Sequence, residues 1–406
     1  MKLKISIILL IISSSLGLFA QDNKTISGTV ISTNGDGNIP GVTIYFKTKG
    51  LSSITNSDGK FIIALPAPFA TTDSLTFSSI GYKSKTIAIN KALKENTLVI
   101  KLDDYAENLH EVTIARLSLK EVLDSVKRQV NHALVKPMKL SGYYRELVFT
   151  NGKCSEYADA LAEYFLDQRT KKDGQFKILA SRCKNDERAV FKGDSAVANL
   201  NSKISPNHAF QLALVSRMID RYFPIKTLSD YKYKQEQADE KDGSDIKITI
   251  SPKDDAVKGI YKLVLNLTSD FVLKSFHMEI PDKFVEKTPQ RNILGLHGKP
   301  YKLIFDVNYI ATPNGIYPSY YSIIGASKLW GKFLGTIYDQ TVEFKTEFLV
   351  TKIDQSADLK PFPGKEVYSK GNICKNGVAM NDNLLKEYTT ILPSQKDTIS
   401  IKPLIK

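Results

Sequence analysis

Histidine side chains could carry chemistry in this chain, because imidazole both transfers protons and binds metal ions. The chain has five histidines: His110, His132, His208, His277 and His297. A zinc hydrolase of the His-x-x-Glu type needs a glutamate three residues after one histidine and a distant second histidine as a further ligand. None of the five has such a glutamate, and no His-Glu-x-x-His motif occurs. We therefore expect no metal site, no cofactor and no catalytic residue.

Two glycine-containing stretches are further candidates for chemistry. Gly193-Asp194-Ser195 has the composition found around some hydrolase serines, but it lacks the Gly-x-Ser-x-Gly turn that exposes a nucleophile. We interpret it as a polar loop. Gly295-Leu296-His297-Gly298 holds one histidine without further ligands nearby, so we expect a solvated or hydrogen-bonded side chain. Because no phosphate-binding loop or dinucleotide motif occurs either, the sequence predicts a protein that is not an enzyme, and a hydrolase is the least favoured alternative.

The three cysteines are too few for a disulfide framework. Cys154 and Cys183 lie on two neighbouring predicted strands, and antiparallel pairing could bring their thiols together. Two buried free thiols fit the same pattern equally well. The sequence leaves this choice open, and it assigns no role to Cys374.

The start of the chain has the layout of a secretory signal peptide. A basic start at Lys2 and Lys4 precedes an apolar run over 5–12, and a small residue, Ala20, ends the segment. The apolar run is shorter than the roughly 20 residues that a membrane-spanning helix needs. We expect residues 1–20 to be a signal peptide and the protein to be exported, in the periplasm or associated with the outer membrane. No later segment has the pattern of a transmembrane helix.

The net charge of +13 makes the chain basic. Its lysines are scattered among apolar residues of predicted strands, for example Lys232, Lys234, Lys247 and Lys262, which is typical of the wet face of a sheet. Nucleic acid is therefore not an expected partner, least of all for an exported protein. The chain is long enough for two or three domains at about 100–200 residues each.

Short strands with turns at regular spacing fill residues 21–104. Apolar residues alternate along them, as at Val30, Ile44, Phe61 and Phe77, which gives each strand one apolar face. Asn-Gly, Pro-Gly and Asp-Gly pairs separate the strands, and Asp58-Gly59 suits a tight hairpin. This pattern predicts a small antiparallel β-sandwich.

The pattern of strands and turns resembles the carboxypeptidase-regulatory-like domain, a transthyretin-like sandwich. The matching segments are Ile26-Ser27-Gly28-Thr29-Val30, Gly41-Val42, Asp58-Gly59-Lys60-Phe61, Ser79-Ile80-Gly81-Tyr82 and Leu109-His110-Glu111-Val112. The variant it is most similar to stands at the periplasmic N-terminus of TonB-dependent outer-membrane receptors. The resemblance implies an accessory module of a Gram-negative envelope. It implies no peptidase activity, and too few residues follow for a receptor barrel.

With the sequence after residue 104 included, the prediction is a mostly β, α+β protein. We expect a linker with an amphipathic helix over 105–138, whose capping box is Ser118 and Glu121. An antiparallel β-meander over 139–356 follows, covered by a helix over 206–222, and 357–406 forms a C-terminal extension. We expect the linker helix to pack on the meander rather than on a membrane or a partner.

Aromatic residues are dense in the later predicted strands; they include Tyr301, Phe305, Tyr309, Tyr317, Tyr320 and Tyr321. They favour an ordinary core, since aromatics suit strands, although they could also line an apolar cavity. The meander faintly resembles the half-barrel of periplasmic lipoprotein carriers. Our main hypothesis is a non-catalytic envelope protein, with a sandwich that docks a partner and a β-rich domain that binds a protein or glycan. The alternative is a periplasmic carrier of an apolar or lipid ligand.

Overall fold

A computed structural model describes most of residues 24–405. The residues outside the description are 1–23, 36, 67, 71, 80, 96, 105–108, 112–117, 134–136, 168–173, 186–205, 239–245, 313–314, 334, 357, 369–372, 374–375, 386–387 and 406. The predicted signal peptide and the Gly193-Asp194-Ser195 loop both lie outside the described residues. None of the described helices is long and apolar enough to cross a membrane.

The N-terminal module is a sandwich of two small sheets. Its elements are β1 (Lys24–Ser32), β2 (Thr43–Phe46), β3 (Leu51–Ile54), β4 (Lys60–Leu65), β5 (Ser74–Ser78), β6 (Lys85–Ala88), helix α1 (Ile89–Ala92) and β7 (Leu98–Leu102). One sheet has the order β4-β1-β7 and the other β3-β2-β5-β6. The expected sandwich is confirmed, with one exception to antiparallel pairing: β1 and β7 run parallel.

The Asp58-Gly59 turn joins β3 to β4, but the tight hairpin expected there does not form, because the two strands belong to different sheets. Gly59 has a φ of 68°, which a residue with a side chain adopts only with strain. The side-chain Oδ1 of Asn56 accepts hydrogen bonds from the backbone N–H groups of Asp58 and Lys60, both at 2.9 Å. The side chain of Asn56 thereby holds the turn closed.

The linker holds strand β8 (Leu109–Glu111) and helix α2 (Leu119–Ala133). The predicted capping box is present at the start of α2: the Ser118 N–H donates to Glu121 Oε2 at 2.6 Å, and the Glu121 N–H donates to Ser118 Oγ at 3.3 Å. Val122, Val126 and Val130 lie on one side of α2 and are buried in the main core. The helix therefore packs on the sheet domain, as expected.

A single large sheet dominates the rest of the chain. Its further strands are β9 (Met138–Thr150), β10 (Lys153–Leu166), β11 (Gln175–Asn185), β12 (Tyr231–Ala238), β13 (Ile246–Pro252), β14 (Lys262–Leu267), β15 (Leu273–Glu279), β16 (Arg291–Ile293), β17 (Leu296–Thr312), β18 (Gly315–Phe333), β19 (Thr336–Asp354) and β20 (Val378–Ala379). The described strands give the order β20-β11-β10-β9-β19-β18-β17-β15-β14-β13-β12-β8, and β16 pairs with β17. Neighbours are antiparallel, except β11 and β20.

Two features of this domain differ from the sequence prediction. The single helix expected over 206–222 is two helices, α3 (Pro206–Ala213) and α4 (Val215–Tyr222), because Leu214 has an extended backbone (φ −78°, ψ 107°). The buried Tyr309 hydroxyl sits at this break, where it donates to Ala213 O and accepts from the Val215 N–H. The C-terminal extension also enters the fold, through β20 and the helices α5 (Asp382–Leu385) and α6 (Gln395–Ile405).

Helices α2, α3 and α4 cover one face of the large sheet, which we call the inner face. Phe210 of α3 stacks on Tyr164 at 3.9 Å between ring centroids, and it meets Tyr321 and Phe348 edge-on. Tyr321 and Phe305 are fully buried in the same cluster. Of the aromatics noted in the sequence, those on this face therefore fill a packed core.

The sandwich and the C-terminal segment cover part of the opposite face, which we call the outer face. Ser52 of β3 donates a hydrogen bond to Val350 O of β19, and Asn308 Nδ2 donates to Gly41 O at 3.3 Å. The sandwich also contacts the C-terminal segment, where Thr389 Oγ1 accepts from the Ala64 N–H at 2.9 Å. Three parts of the chain thus meet on one face of the sheet.

Candidate functional site

A row of polar residues crosses the outer face of the large sheet. Each member lies directly opposite the next on the neighbouring strand, from β11 to β15. The row consists of Arg182, Asp159, Arg145, Glu347, Ser322, Asp306 and His277. Because side chains alternate between the two faces of a strand, this register places all seven on the outer face. We call this set the polar row.

The first part of the polar row lies under the C-terminal segment. Arg182 binds Asp159 through two hydrogen bonds, of 2.8 Å and 3.0 Å, and the hydroxyls of Tyr143 and Tyr157 each donate to Asp159 Oδ2 at 2.8 Å. A second cation reaches the C-terminal segment, where Arg145 Nη2 lies 3.5 Å from Asp397 Oδ2. The buried Asp159 and Arg145 are thus both paired with charged partners.

Arg145 and Glu347 form the centre of the polar row. Arg145 is 1% exposed, and its Nη2 and Nε donate to Glu347 Oε2 at 2.6 Å and 3.0 Å. Burial by itself raises the pKa of the Glu347 carboxyl, but Arg145, Lys345 and the Tyr320 hydroxyl outweigh it and lower that pKa to about 2. Glu347 is therefore a fixed anion at neutral pH.

The last part of the polar row is more open. His277 Nδ1 lies 2.6 Å from Asp306 Oδ1, and His277 Nε2 lies 3.6 Å from Glu279 Oε2. The hydrogen bond to Asp306 raises the pKa of His277, against a smaller opposing effect of burial. This end of the row therefore holds a carboxylate and a histidine that bears a proton more readily than a free imidazole.

A cleft of about 630 Å³ lies between the sandwich and this open part of the polar row. Its sandwich wall includes Thr43, Tyr45, Thr55, Asn56, Thr76, Ser78 and Ser79. Its sheet wall includes Lys274, Ser275, Asp306, Asn308, Tyr320, Ser322, Ile324, Lys345 and Glu347. The volume is within the range of small-molecule binding sites. We call it the interdomain cleft.

Most of the residues that line the interdomain cleft have polar side chains. Its walls supply hydroxyl, amide, ammonium and carboxylate groups, and the half-buried Tyr45 supplies an aromatic ring. A general acid or base works best with a pKa near the working pH, and the Glu347 carboxyl is far below it. Among the described residues, no group of three or more His, Cys, Asp and Glu side chains could hold a metal ion.

The remaining histidines from the sequence are scattered over the fold. His110 lies in β8, His132 in α2 and His208 in α3. The side chain of His297 lies in β17, 2.7 Å from Asn292 Oδ1, and it stacks on Trp330 at 5.5 Å between ring centroids. This agrees with the interpretation of His297 as a hydrogen-bonded side chain.

The structure corrects both alternatives that the sequence left open for Cys154 and Cys183, a shared disulfide and two free thiols. Cys154 is a free thiol, whereas Cys183 is in a disulfide, so these two residues do not pair with each other. Cys374 lies outside the described residues. Burial raises the pKa of the Cys154 thiol to about 11, which leaves it largely protonated and unreactive at neutral pH.

Sequence reasoning considered His277 only as a possible metal ligand and missed the other six members of the polar row. Arg145 and Glu347 are 202 residues apart, and His277 and Asp306 are 29 apart. Only the pairing of the strands brings them into one line. The signal in the sequence was a charged residue at an otherwise apolar strand position, as in Tyr143-Tyr144-Arg145-Glu146-Leu147.

The fold and the cleft define a two-module, β-rich protein. Its N-terminal module is a CarboxypepD_reg-like domain: residues 26–114 match that family. This match covers the sandwich and β8, which is an edge strand of the large sheet, but none of the other strands of that sheet. A search of curated proteins finds no match for the chain.

Three solved structures show a remote likeness. One is a DUF1329 family protein from Desulfovibrio piger ATCC 29098, with 6% identity over 60% of this chain and 96% of that one, at a TM-score of 0.27. Lipovitellin has 9% identity over 57% of this chain and 27% of its own, at 0.22. The third, from Bacteroides fragilis NCTC 9343, is described as a membrane-associated protein of unknown function; it has 10% identity over 82% and 98% of the two chains, at 0.16.

Proposed function

We propose that this chain is a non-catalytic cell-envelope protein whose sandwich and large sheet together bind a glycan in the interdomain cleft. The observation that carries the proposal is the composition of the cleft. Polar groups from both modules converge on one space, and its floor holds a permanently charged Glu347 beside Lys345. The envelope location is supported by the CarboxypepD_reg-like module and by the signal-like start of the sequence.

A glycan fits the cleft better than a peptide does. Extended peptides are commonly bound by addition to the edge of a sheet. The strands that line the cleft, β17, β18 and β19 on one wall and β2 and β5 on the other, are interior strands whose backbone groups already pair on both sides. Recognition must therefore come from side chains, and sugar hydroxyls match the donors and acceptors that project from these walls.

The alternative function, a carrier of an apolar ligand, has weaker support. The inner face would have to open for such a ligand, yet Phe210 stacks there on Tyr164 and contacts Phe348. The expected docking of a separate partner by the sandwich stays a prediction. Within this chain the sandwich contacts β19 and the C-terminal segment.

A glycan array probed with the labelled protein tests the proposal. We expect selective binding to one class of envelope glycan, and we expect Ser79→Trp, which fills the cleft from the sandwich wall, to abolish it. Thr97→Trp is the matched control, because Thr97 is an exposed sandwich residue outside the cleft. Binding that survives Ser79→Trp, or no binding to any glycan, would overturn the proposal.

A further inference from the structure

Two large apolar side chains, one in a turn and one at the start of a strand, are exposed at one end of the large sheet. Leu294 connects β16 to β17 and is 81% exposed, and Ile337 at the start of β19 is 78% exposed. Lys332 lies opposite Ile337 in the β18–β19 pair, and its N–H donates to Gly295 O at 3.2 Å. The two apolar residues therefore lie on nearby strands at the same end of the sheet. We call this region, with Arg291 and Trp330, the sheet tip.

The turn between β16 and β17 holds a leucine at a position where the backbone favours other residues. Ile293 pairs directly with Leu296, so Leu294 and Gly295 form a two-residue loop, with φ angles of 48° and 88°. Positive φ at both positions is the type I′ pattern, which favours asparagine at the first of them. A leucine there is an outlier, and its side chain is mostly in solvent instead of in a core. Such an outlier points to a use outside the fold.

The surroundings of these residues are aromatic and basic. Trp330 lies on β18 next to His297, with Lys328 and Lys332 two residues away on the same face of the strand. Lys328 is paired with Asp339, and Lys299 with Glu286. Within the part of the chain that the structure describes, neither Arg291 nor Lys332 has an ion-pair partner. The sheet tip therefore combines exposed aliphatic groups, a tryptophan and an excess of positive charge.

We propose that the sheet tip is a membrane-docking surface that binds anionic phospholipid headgroups. Leu294 and Ile337 enter the boundary between headgroups and acyl chains, where burial of aliphatic side chains is favourable. Trp330 lies at the level of the headgroups, the position that tryptophan prefers at membranes. Arg291 and Lys332 complement the negative charge of the lipids. The proposal is independent of the interdomain cleft.

Trp330 is the single tryptophan of the chain, so its fluorescence reports directly on the sheet tip. The full chain is titrated with vesicles of phosphatidylcholine alone and of an equal mixture of phosphatidylcholine and phosphatidylglycerol. We expect a shift of the Trp330 emission to shorter wavelength, and quenching by brominated lipids, with the anionic vesicles. We expect added salt to weaken this binding, because headgroup attraction is screened.

Two paired variants separate docking from unspecific adhesion. Leu294→Asn with Ile337→Thr should lower the vesicle partition coefficient by about tenfold or more, since two aliphatic side chains no longer enter the bilayer. Both replacements suit their backbone positions, so the fold is retained. Ile225→Thr with Val257→Thr is the control, because these residues are 72% and 74% exposed elsewhere and should leave binding unchanged. No Trp330 shift with anionic vesicles, or equal losses in both pairs, would overturn the proposal.

Discussion

Arg145 of β9 and Glu347 of β19 lie directly opposite each other and form a buried ion pair, with Nη2 and Oε2 2.6 Å apart. This pair links the centre of the large sheet to both structures that cover its outer face. Arg145 Nη1 donates to Ile391 O of the C-terminal segment at 3.4 Å. Glu347 lies on the floor of the cleft below the sandwich. The pair thus lies between the part of the polar row that the C-terminal segment covers and the more open part beside the cleft.

Removal of one partner of this pair should destabilise the protein strongly. We expect Arg145→Met to lower the free energy of unfolding by about 3–5 kcal/mol, because the buried Glu347 carboxylate loses its main cationic partner. The double variant Arg145→Met, Glu347→Leu should recover a large part of that loss. The control is Glu343→Gln, which breaks the Lys302–Glu343 pair. Both side chains of this pair are 39% exposed, so this variant should lower the free energy of unfolding by about 1 kcal/mol or less. Urea unfolding measures all three, and a loss in Arg145→Met no greater than in the control would contradict the account.

The stability of the fold should depend on pH through Glu347. Its pKa is about 2 in the folded protein and 4.5 without the fold, so the folded state favours the charged form. This contribution, on the order of 3 kcal/mol, is present above pH 4.5 and is lost as the pH falls toward 2. Glu347→Gln should therefore flatten the stability profile in that window. Unfolding curves at several pH values measure it, and a profile as steep in the variant as in the parent chain would show that other carboxyls are responsible.

His277 should titrate above its ordinary pKa of 6.5 because of its hydrogen bond to Asp306. A raised folded-state pKa means that this interaction stabilises the fold below pH 6.5 and loses its effect as the pH rises through the folded-state value. NMR titration of the imidazole signals should show the raised value, and Asp306→Asn should lower it. A His277 pKa that Asp306→Asn leaves unchanged would rule out the proposed cause.

Gly59 should tolerate no side chain. Its φ of 68° is unfavourable for other residues, and a Cβ there would lie 2.8 Å from both Asn38 Cβ and Val30 O. We expect Gly59→Ala to cost about 3 kcal/mol or more in thermal or urea unfolding. Gly81→Ala is the matched control, since Gly81 also has a positive φ (81°) but no atom within 4 Å of such a Cβ, and it should cost only about 1–2 kcal/mol. Equal losses of stability in the two variants would show that the turn at Gly59 has room to relax.

The two described cysteines should differ in alkylation. Under denaturing conditions without reductant, iodoacetamide should label Cys154 and leave Cys183 unlabelled, because Cys183 is in a disulfide. Prior reduction should expose Cys183 to the reagent. In the folded protein, Cys154 should react slowly at neutral pH because its thiol pKa is about 11. Peptide mass spectrometry reads both sites, and labelling of Cys183 before reduction would contradict the assignment.

The sequence predicted local structure well where short-range chemistry decides it. The positive φ of Gly59 and the Ser118–Glu121 capping box depend on neighbouring residues, and both are present as predicted. The hairpin expected at Asp58-Gly59 is absent, because long-range pairing puts β3 and β4 in different sheets. The helix over 206–222 was predicted without its break, because the Tyr309 hydroxyl that bonds to both sides of Leu214 comes from a strand about 95 residues later. Periodicity cannot show such a contact.

The candidate site could not be predicted from the sequence for the same reason. The polar row depends on the register of seven strands, and a shift of one residue would turn each side chain to the opposite face. The cleft depends in addition on how the sandwich lies on the sheet, through contacts such as Asn308 with Gly41. Local patterns therefore predict the modules, whereas long-range pairing creates the site.

The central claim is that the interdomain cleft binds a glycan. Binding of the glycan identified on the array to the Asp306→Asn variant tests this claim most directly. Asp306 lies in both the polar row and the cleft wall, whereas Asp270 is exposed in the turn between β14 and β15 and serves as the matched control. In isothermal titration calorimetry, we predict a loss of affinity of about tenfold or more for Asp306→Asn, as expected when a charged hydrogen-bonding group is removed, and an unchanged affinity for Asp270→Asn. Equal affinities of Asp306→Asn and the parent chain would contradict the claim that the interdomain cleft is the binding site.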